Sequence, residues 1–248
     1  MKLEQELALS NAIANIYKHA QDNDANTFRE RCFDTIKDFI SFDAAVWVTR
    51  RDHQVAASQA DTFTYNLPLD FMENYNQTVA SELSIDDPLA SKASKNLGQP
   101  ILISSIWPSH QAFIESSVYQ YHCKKYQLEE AICSIFLSQP NKHFNIISLY
   151  QIGRYEPYTN EDVKVKKLLL PHLVAAMRLN ILASFNRGWL YRNSHRAVCD
   201  IDGYVLEAEE GFSQLAEKFN LLSEGKYLLP VLEEDSSLII QPVAGLTA

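Results

Sequence analysis

The stretch Tyr158–Asn186, YTNEDVKVKKLLLPHLVAAMRLNILASFN, limits what this chain can fold into more than any other. Its spacing predicts one long helix with more apolar surface than a single partner can cover. Thr159 is placed as the N-cap, with Glu161 and Asp162 near the positive end of the helix dipole. Val165, Leu169, Leu173, Met177 and Ile181 recur every four residues and form one apolar stripe. Leu168, Leu170, Val174, Ala175, Leu182 and Phe185 form a second. A helix with two apolar faces packs on two bodies, its own domain and a second copy of the chain. The first stripe is assigned to the second copy, with Pro171 bending the helix between the two.

The 248 residues suit one large domain or two small ones, and 46% hydrophobic residues are enough to build a core. No apolar run reaches the roughly 18 residues of a membrane span. The start, Met1-Lys2-Leu3-Glu4, leads into an amphipathic pattern rather than a signal peptide, so a cytoplasmic protein is expected. The formal net charge is −9, from 22 basic and 31 acidic residues. That balance disfavours nucleic-acid binding by this chain alone, because phosphate contacts need clustered Lys and Arg. The densest basic group, Lys164, Lys166 and Lys167, reads as the solvated flank of a helix. The cysteines, Cys32, Cys123, Cys133 and Cys199, form no CxxC pair and read as buried thiols.

Ahead of the long helix the chain alternates between two textures. Residues 3–21 carry Leu9, Ile13, Ile16, Tyr17 and Ala20 at helical spacing. A second helix starts at a capping box of Thr27 and Glu30 and runs to about Ser41. Ala44–Arg51 is β-branched and aromatic and reads as a strand, and His53–Tyr65 as a weaker strand pair. Short helices are expected from Pro68 and Asp70, with Phe71, Met72, Tyr75 and Val79 as apolar residues, and from Asp86-Asp87-Pro88. Ile101–Ile106 reads as a short strand and Ser109–Lys125 as one helix. Glu130–Gln139 and Phe144–Ile152 read as adjacent strands joined by Pro140-Asn141-Lys142-His143. Beyond the long helix, Asp202-Gly203 marks a hairpin between Ala197–Ile201 and Tyr204–Ala208. A helix over Glu209–Leu222 and a strand at Leu238–Ile240 follow. The expected fold is α+β, an antiparallel sheet flanked by helices. Its organisation is a sensor domain over 1–157, a connecting and dimerisation helix over 158–192, and a small unit over 193–248.

Several of these segments resemble the sensor half of LuxR-type bacterial transcription regulators. They are Ser84–Leu89 (SIDDPL) before Gly98-Gln99-Pro100-Ile101, Asn145–Tyr150 (NIISLY), the helix start Tyr158–Asp162 before Leu168–Leu173 (LLLPHL), and Cys199–Phe212 (CDIDGYVLEAEEGF). The resemblance implies a GAF- or PAS-like sensor domain, a PAS-like α/β tail, a homodimer and transcription regulation. It implies DNA contact only through a C-terminal helix-turn-helix absent from this chain. That family's DNA-binding unit opens with Leu-Thr-x-Arg-Glu, and this chain stops at Gly245-Leu246-Thr247-Ala248. It reads as a regulator cut at that junction or as a naturally short protein. Some members bind acyl-homoserine lactones through tryptophan, tyrosine and an Asp-Pro aspartate. Tyr75 and Asp87-Pro88 match in part, but no tryptophan lies near Tyr75, and lactone binding is not carried over.

The expected ligand site is a set of rings with one carboxylate: Trp47, Tyr65, Phe71, Tyr75, Asp87, Trp107, Phe113 and Tyr119, with Tyr126 beside them. Apolar pockets with a few polar groups hold small molecules, and Tyr and Trp carry a polar handle that needs a partner. The same rings read as ordinary core. Asp87 reads either as an acceptor for a ligand N–H or as a helix N-terminal charge beside Pro88. Arg50 and Arg51 meet an anionic ligand or solvent. His172 is a packing or interface residue. His122 and Cys123 are adjacent, so a helix cannot aim both at one site. No GxGxxG, P-loop or GxSxG occurs among the seven glycines, and no metal constellation stands out. No enzyme activity, metal or cofactor is expected. Two functions remain: the ligand-sensing, dimerising region of a LuxR-type regulator, or a standalone dimeric GAF-like interaction protein that titrates full-length regulators.

Overall fold

The structure is a computed structural model that describes residues 3–51, 61–80, 92, 95–138, 143–187, 197–199, 205–218, 222, 223, 226 and 227. Helix α1 (Leu3–Asp22) buries Leu9, Ala12, Ile16 and Ala20, the repeat its sequence predicts. Helix α2 (Ala25–Lys37) starts ahead of the expected Thr27 box and is capped by Asp24. The Asp24 carboxylate accepts the backbone N–H groups of Asn26 and Thr27 at 3.0 Å each and the Thr27 hydroxyl at 2.8 Å. A carboxylate outcompetes the hydroxyl here because it also complements the helix dipole.

Five strands form one antiparallel sheet: β1 (Ala44–Arg51), β2 (Asp61–Tyr65), β3 (Pro100–Leu102), β4 (Leu128–Ser138) and β5 (His143–Ile152), in the order β2-β1-β5-β4-β3. β1 pairs with β5 along its whole length, from Ala44 opposite Tyr150 to Arg51 opposite His143. Strand alternation sorts the side chains. Ala45, Trp47, Ile132, Ile147 and Leu149 face one core. Val46, Val48, Ala131, Ile146 and Tyr150 face a second.

The first core lies under α1, α2 and the long helix α6 (Asn160–Arg187). Thr159 caps α6 through a reciprocal box. Its backbone N–H and its hydroxyl each donate to an Asp162 carboxylate oxygen at 2.7 Å, and the Asp162 N–H donates to the Thr159 hydroxyl at 3.2 Å. Pro171 lies inside the one continuous helix.

The second core is covered by short elements: α3 (Phe71–Ala80), α4 (His110–Ile114), α5 (Ser117–Tyr121) and a 3-10 turn over Cys123–Tyr126. The single helix expected over Ser109–Lys125 is broken because two serines each start a new one. Ser109 accepts the Ala112 N–H at 3.1 Å, and Ser116 accepts the Tyr119 N–H at 3.2 Å. The strand expected over Ile101–Ile106 ends at Leu102 and continues as a 3-10 turn over Ile103–Ser105.

In the C-terminal segment β6 (Ala197–Cys199) pairs antiparallel with β7 (Val205–Ala208), as the Asp202-Gly203 signal predicts. Helix α7 (Glu210–Lys218) ends before Leu222. Leu222 instead joins a two-residue ladder of β8 (Leu222–Ser223) and β9 (Lys226–Tyr227). The expected helix start at Asp86-Asp87-Pro88, the loop 140–142 and the strand Leu238–Ile240 lie outside the described residues.

The long helix uses its apolar surface differently from the expectation. Val165, Leu169, Leu173, Met177 and Ile181, expected to meet a second copy, lie in the chain's own core with Ile16, Phe28, Ile132 and Leu149. Leu170 and Val174 of the second stripe are buried too. Adjacent stripes merge into one wide inner face because α6 is clasped between α1 and the sheet. Polar ties fix its place. The Asn180 side-chain amide donates to the carbonyls of Ala20 at 2.9 Å and Asn23 at 2.7 Å. Tyr17 and His172 are hydrogen-bonded at 3.2 Å, so His172 is a packing residue within the chain. The outer face keeps Leu168, 46% exposed, with Lys164, Pro171, Ala175 and Arg178.

Lys166 corrects the reading of a solvated lysine cluster. Lys164 and Lys167 are exposed, but Lys166 is only 2% exposed. Its ammonium donates to the carbonyl of Ile147 on β5, at 2.8 Å, and to that of Ile132 on β4. Burial pulls its pKa down from 10.5 to about 7, with the neighbouring Cys133 pulling the other way. Below pH 7 both folded and unfolded chains hold the proton, and the burial cost is complete. Above it the folded chain releases the proton while the unfolded chain keeps it, so stability rises with pH. From pH 6.5 to 8.5 the gain is about 2 kcal/mol at ~1.4 kcal/mol per pH unit. Urea unfolding at both pH values measures it, and Lys166→Met lacks that increment. Equal slopes in the two proteins would remove Lys166 as the cause.

Candidate ligand-binding face

The structure divides the expected site between the two sides of the sheet. Trp47 is fully buried on the helical side, against Phe28 at 5.9 Å and Phe33 at 6.3 Å between ring centroids. Its indole N–H donates to Asn145 Oδ1 at 3.2 Å. Tyr65 lies on the same side, beside Phe33 and Phe42, with the Lys37 ammonium 4.9 Å from its ring. Its hydroxyl donates to Asp34 at 2.8 Å, and burial, with that hydrogen bond, pushes its pKa up to about 12. Trp47 and Tyr65 are therefore apart from the other rings. The spacing of a strand cannot say which of its two faces holds a ligand.

Phe71, Tyr75, Trp107, Phe113 and Tyr119 come together on the opposite side. Trp107, Phe113 and Tyr119 form a chain of rings, with successive centroids 5.0 and 5.1 Å apart. The Tyr119 hydroxyl donates to Glu129 at 3.2 Å. Phe71 and Tyr75 come from α3, where residues 71, 74, 75 and 78 share the inward face of the helix. Phe71 contacts Tyr126 at 5.0 Å and Tyr150 at 5.7 Å, which adds two tyrosines to the set. Tyr150 is held above its ordinary pKa by burial, so it is a neutral phenol. Asp87 lies outside the described residues, as do the side chains of Arg50 and Arg51.

His122, which the sequence places beside Cys123 on an expected helix, is the polar centre of this face. The helix α5 stops at Tyr121, so His122 and Cys123 are not on one helix, and both are buried on this side. The His122 ring lies 4.7 Å from Phe71, 5.2 Å from Tyr75 and 5.3 Å from Tyr126. Its Nδ1 is 2.8 Å from Asn74 Oδ1 on α3. Burial, helped by the nearby Lys125, lowers its pKa from 6.5 to about 4, so the ring is neutral at ordinary pH. Asn74 was legible in principle. It stands three residues after Phe71 and four before Thr78, on the helix face that turns inward. Cys123 also lines this side, and strand alternation from Ala131 puts Cys133 on it too. Burial raises the Cys133 pKa, and this keeps it a thiol.

An enclosed set of rings with a few neutral polar groups can hold an apolar small molecule and orient it. Among the described residues no group of His, Cys, Asp and Glu is placed to hold a metal ion. No described helix is long and apolar enough to cross a membrane.

Among solved structures, the fold is similar to the LBD domain of VqsR from Pseudomonas aeruginosa. The TM-score is 0.48, with 13% identity over 70% of this chain and 95% of that one. It is similar to the N-acylhomoserine lactone dependent LuxR family transcription factor CepR2 from Burkholderia cenocepacia, with a TM-score of 0.48. That match has 11% identity and covers 68% of this chain and 93% of that one. It is also similar to a GAF domain from Pseudomonas syringae pv. tomato, with a TM-score of 0.43. There the identity is 11%, over 74% of this chain and 94% of that one. No family model and no curated protein matches the sequence.

Proposed function

We propose that this chain is the ligand-sensing and dimerising region of a LuxR-type transcription regulator, acting in the cytoplasm on a small-molecule effector. One observation carries the reading. A single sheet has a ring-lined face on one side and the long helix α6 on the other. A ligand among Phe71, Tyr75, Trp107, Phe113 and Tyr119 presses on β4 and β5. The Lys166 ammonium ties the carbonyls of those same two strands to α6. The ligand shifts α6 only by binding two arrangements with unequal affinity. A second copy packs on the outer side of α6, around Leu168 and Ala175, because the inner side is filled.

Native mass spectrometry of the chain purified from a bacterial host tests this, with spectra before and after denaturation. The expected result is a dimer carrying a discrete extra mass that denaturation releases. A dimer of bare mass would remove the small-molecule reading, and a monomer would remove the dimer.

A further inference from the structure

We infer that residues 153–158 form a strap around the end of the sheet, which carries the position of the short elements over the ring-lined face to the first turn of α6. This route is separate from the one through β4, β5 and Lys166, and it holds with or without a bound ligand. Residues 153–157 are exposed and belong to no helix or strand. Two of the ties that hold the segment reach the ring side. The Gly153 N–H donates to the carbonyl of Gln127 at 2.8 Å, and Gln127 ends the 3-10 turn that holds Cys123 and Tyr126. Gly153 has a φ of +65°, and a Cβ there would stand 3.4 Å from Gln127 Oε1, so glycine suits the close approach. The Tyr155 ring lies on that of His110, with centroids 4.0 Å apart and planes at 31°. His110 opens α4 and lies 6.1 Å from Phe113, which touches Trp107 and Tyr119. Its Nδ1 is buried with no hydrogen-bond partner among the described residues, so what joins it to Tyr155 is the ring contact.

The other ties reach the sheet and the helical side. Arg154 pairs with Asp43 at 3.4 Å and donates to the Ser41 hydroxyl at 3.3 Å, both between α2 and β1. The Glu156 N–H donates to the Gln151 side chain at 3.2 Å. Tyr158 is buried in the first core, and its hydroxyl donates to the Leu149 carbonyl at 3.1 Å. Thr159 follows at once as the cap of α6, and its carbonyl accepts the Val163 N–H at 3.1 Å. Only Glu156, Pro157 and Tyr158 lie between the stacked ring and that cap. Pro157 fixes its own φ and restricts Glu156, so a movement of α4 is passed on to the cap instead of being absorbed.

The test is hydrogen exchange of the 248-residue chain, read by mass spectrometry on peptides from α1, from β5 and from the first two turns of α6. His110→Ala removes the stack from the ring side. The expected result is exchange at the start of α6 that is about fivefold faster, the scale of one ring pair, with α1 and β5 unchanged. Tyr155→Ala gives the same increase, and the two substitutions together give no more than either alone. His110→Phe keeps a ring in place and keeps the slow exchange. An unchanged rate at the start of α6 in His110→Ala would overturn the strap, as would additive effects of the two substitutions. A uniform rise over all three peptides would make the stack an ordinary stabilising contact and overturn the strap too.

Discussion

Leu169→Glu combined with Leu173→Glu unfolds the chain instead of releasing a folded monomer. Both leucines are 1% exposed, packed between α1 and the sheet. Each glutamate places a carboxylate in the apolar core, where the Lys166 ammonium is already engaged by two carbonyls, and removes the apolar contacts as well. An isolated buried charge costs several kcal/mol, and a whole domain is stable by about 5–15 kcal/mol. Loss of the helical signal in circular dichroism at 25 °C, with aggregation on a sizing column, is the expected outcome. Leu168→Glu, one residue away on the open side, keeps the fold. Sedimentation showing a folded double-mutant monomer would mean that the inner stripe is an interface after all.

The second large effect concerns Arg29, a fully buried residue of α2. Its Nη1 donates to Asp61 Oδ1 on β2 at 3.1 Å, and its Nη2 contacts the other carboxylate oxygen. The guanidinium Nε has no partner among the described residues. The pair joins the helical layer to the edge of the sheet. Asp61→Ala leaves a guanidinium inside the protein with nothing opposite it, at a cost of about 3–5 kcal/mol. Adding Arg29→Met to that variant recovers most of the loss, because the stranded charge causes the damage and the missing attraction does not. Urea midpoints of the three proteins decide this. A single-mutant loss below about 1 kcal/mol would show that water reaches the guanidinium.

Most of the scaffold was legible. The helical repeat of α1, the strands β1, β4 and β5 and the cap of α6 come from period and capping chemistry that need no distant partner. Three features were not. The Ser109–Lys125 helix failed because Ser116 offers the backbone an alternative partner in the middle of an apolar run. Lys166 was misread by residue type. Its position is explicit, since 166, 169, 170 and 173 follow the helical period and all are buried. A lysine there simply needs carbonyls to meet, and only the tertiary structure supplies them. The candidate site was half legible. Period alone marks which rings turn inward, but Trp47 and Phe71 turn toward different cores, and which core is which depends on where α6 and α3 pack. The surroundings of His122 were not legible because they depend on Asn74, far away in sequence.

The separation of Trp47 from Trp107 has an optical consequence. Trp47, at 0% exposure and bonded to Asn145, belongs to the helical layer, whereas Trp107 packs on Phe113 over the other face. Each indole therefore samples a different side of the same sheet. Fluorescence from a chain that keeps only Trp107 follows events among the rings, and a chain that keeps only Trp47 follows the rearrangement they impose across the strands. Trp47 and Trp107 are thus two of the chain's three intrinsic lamps, one on each side of the sheet.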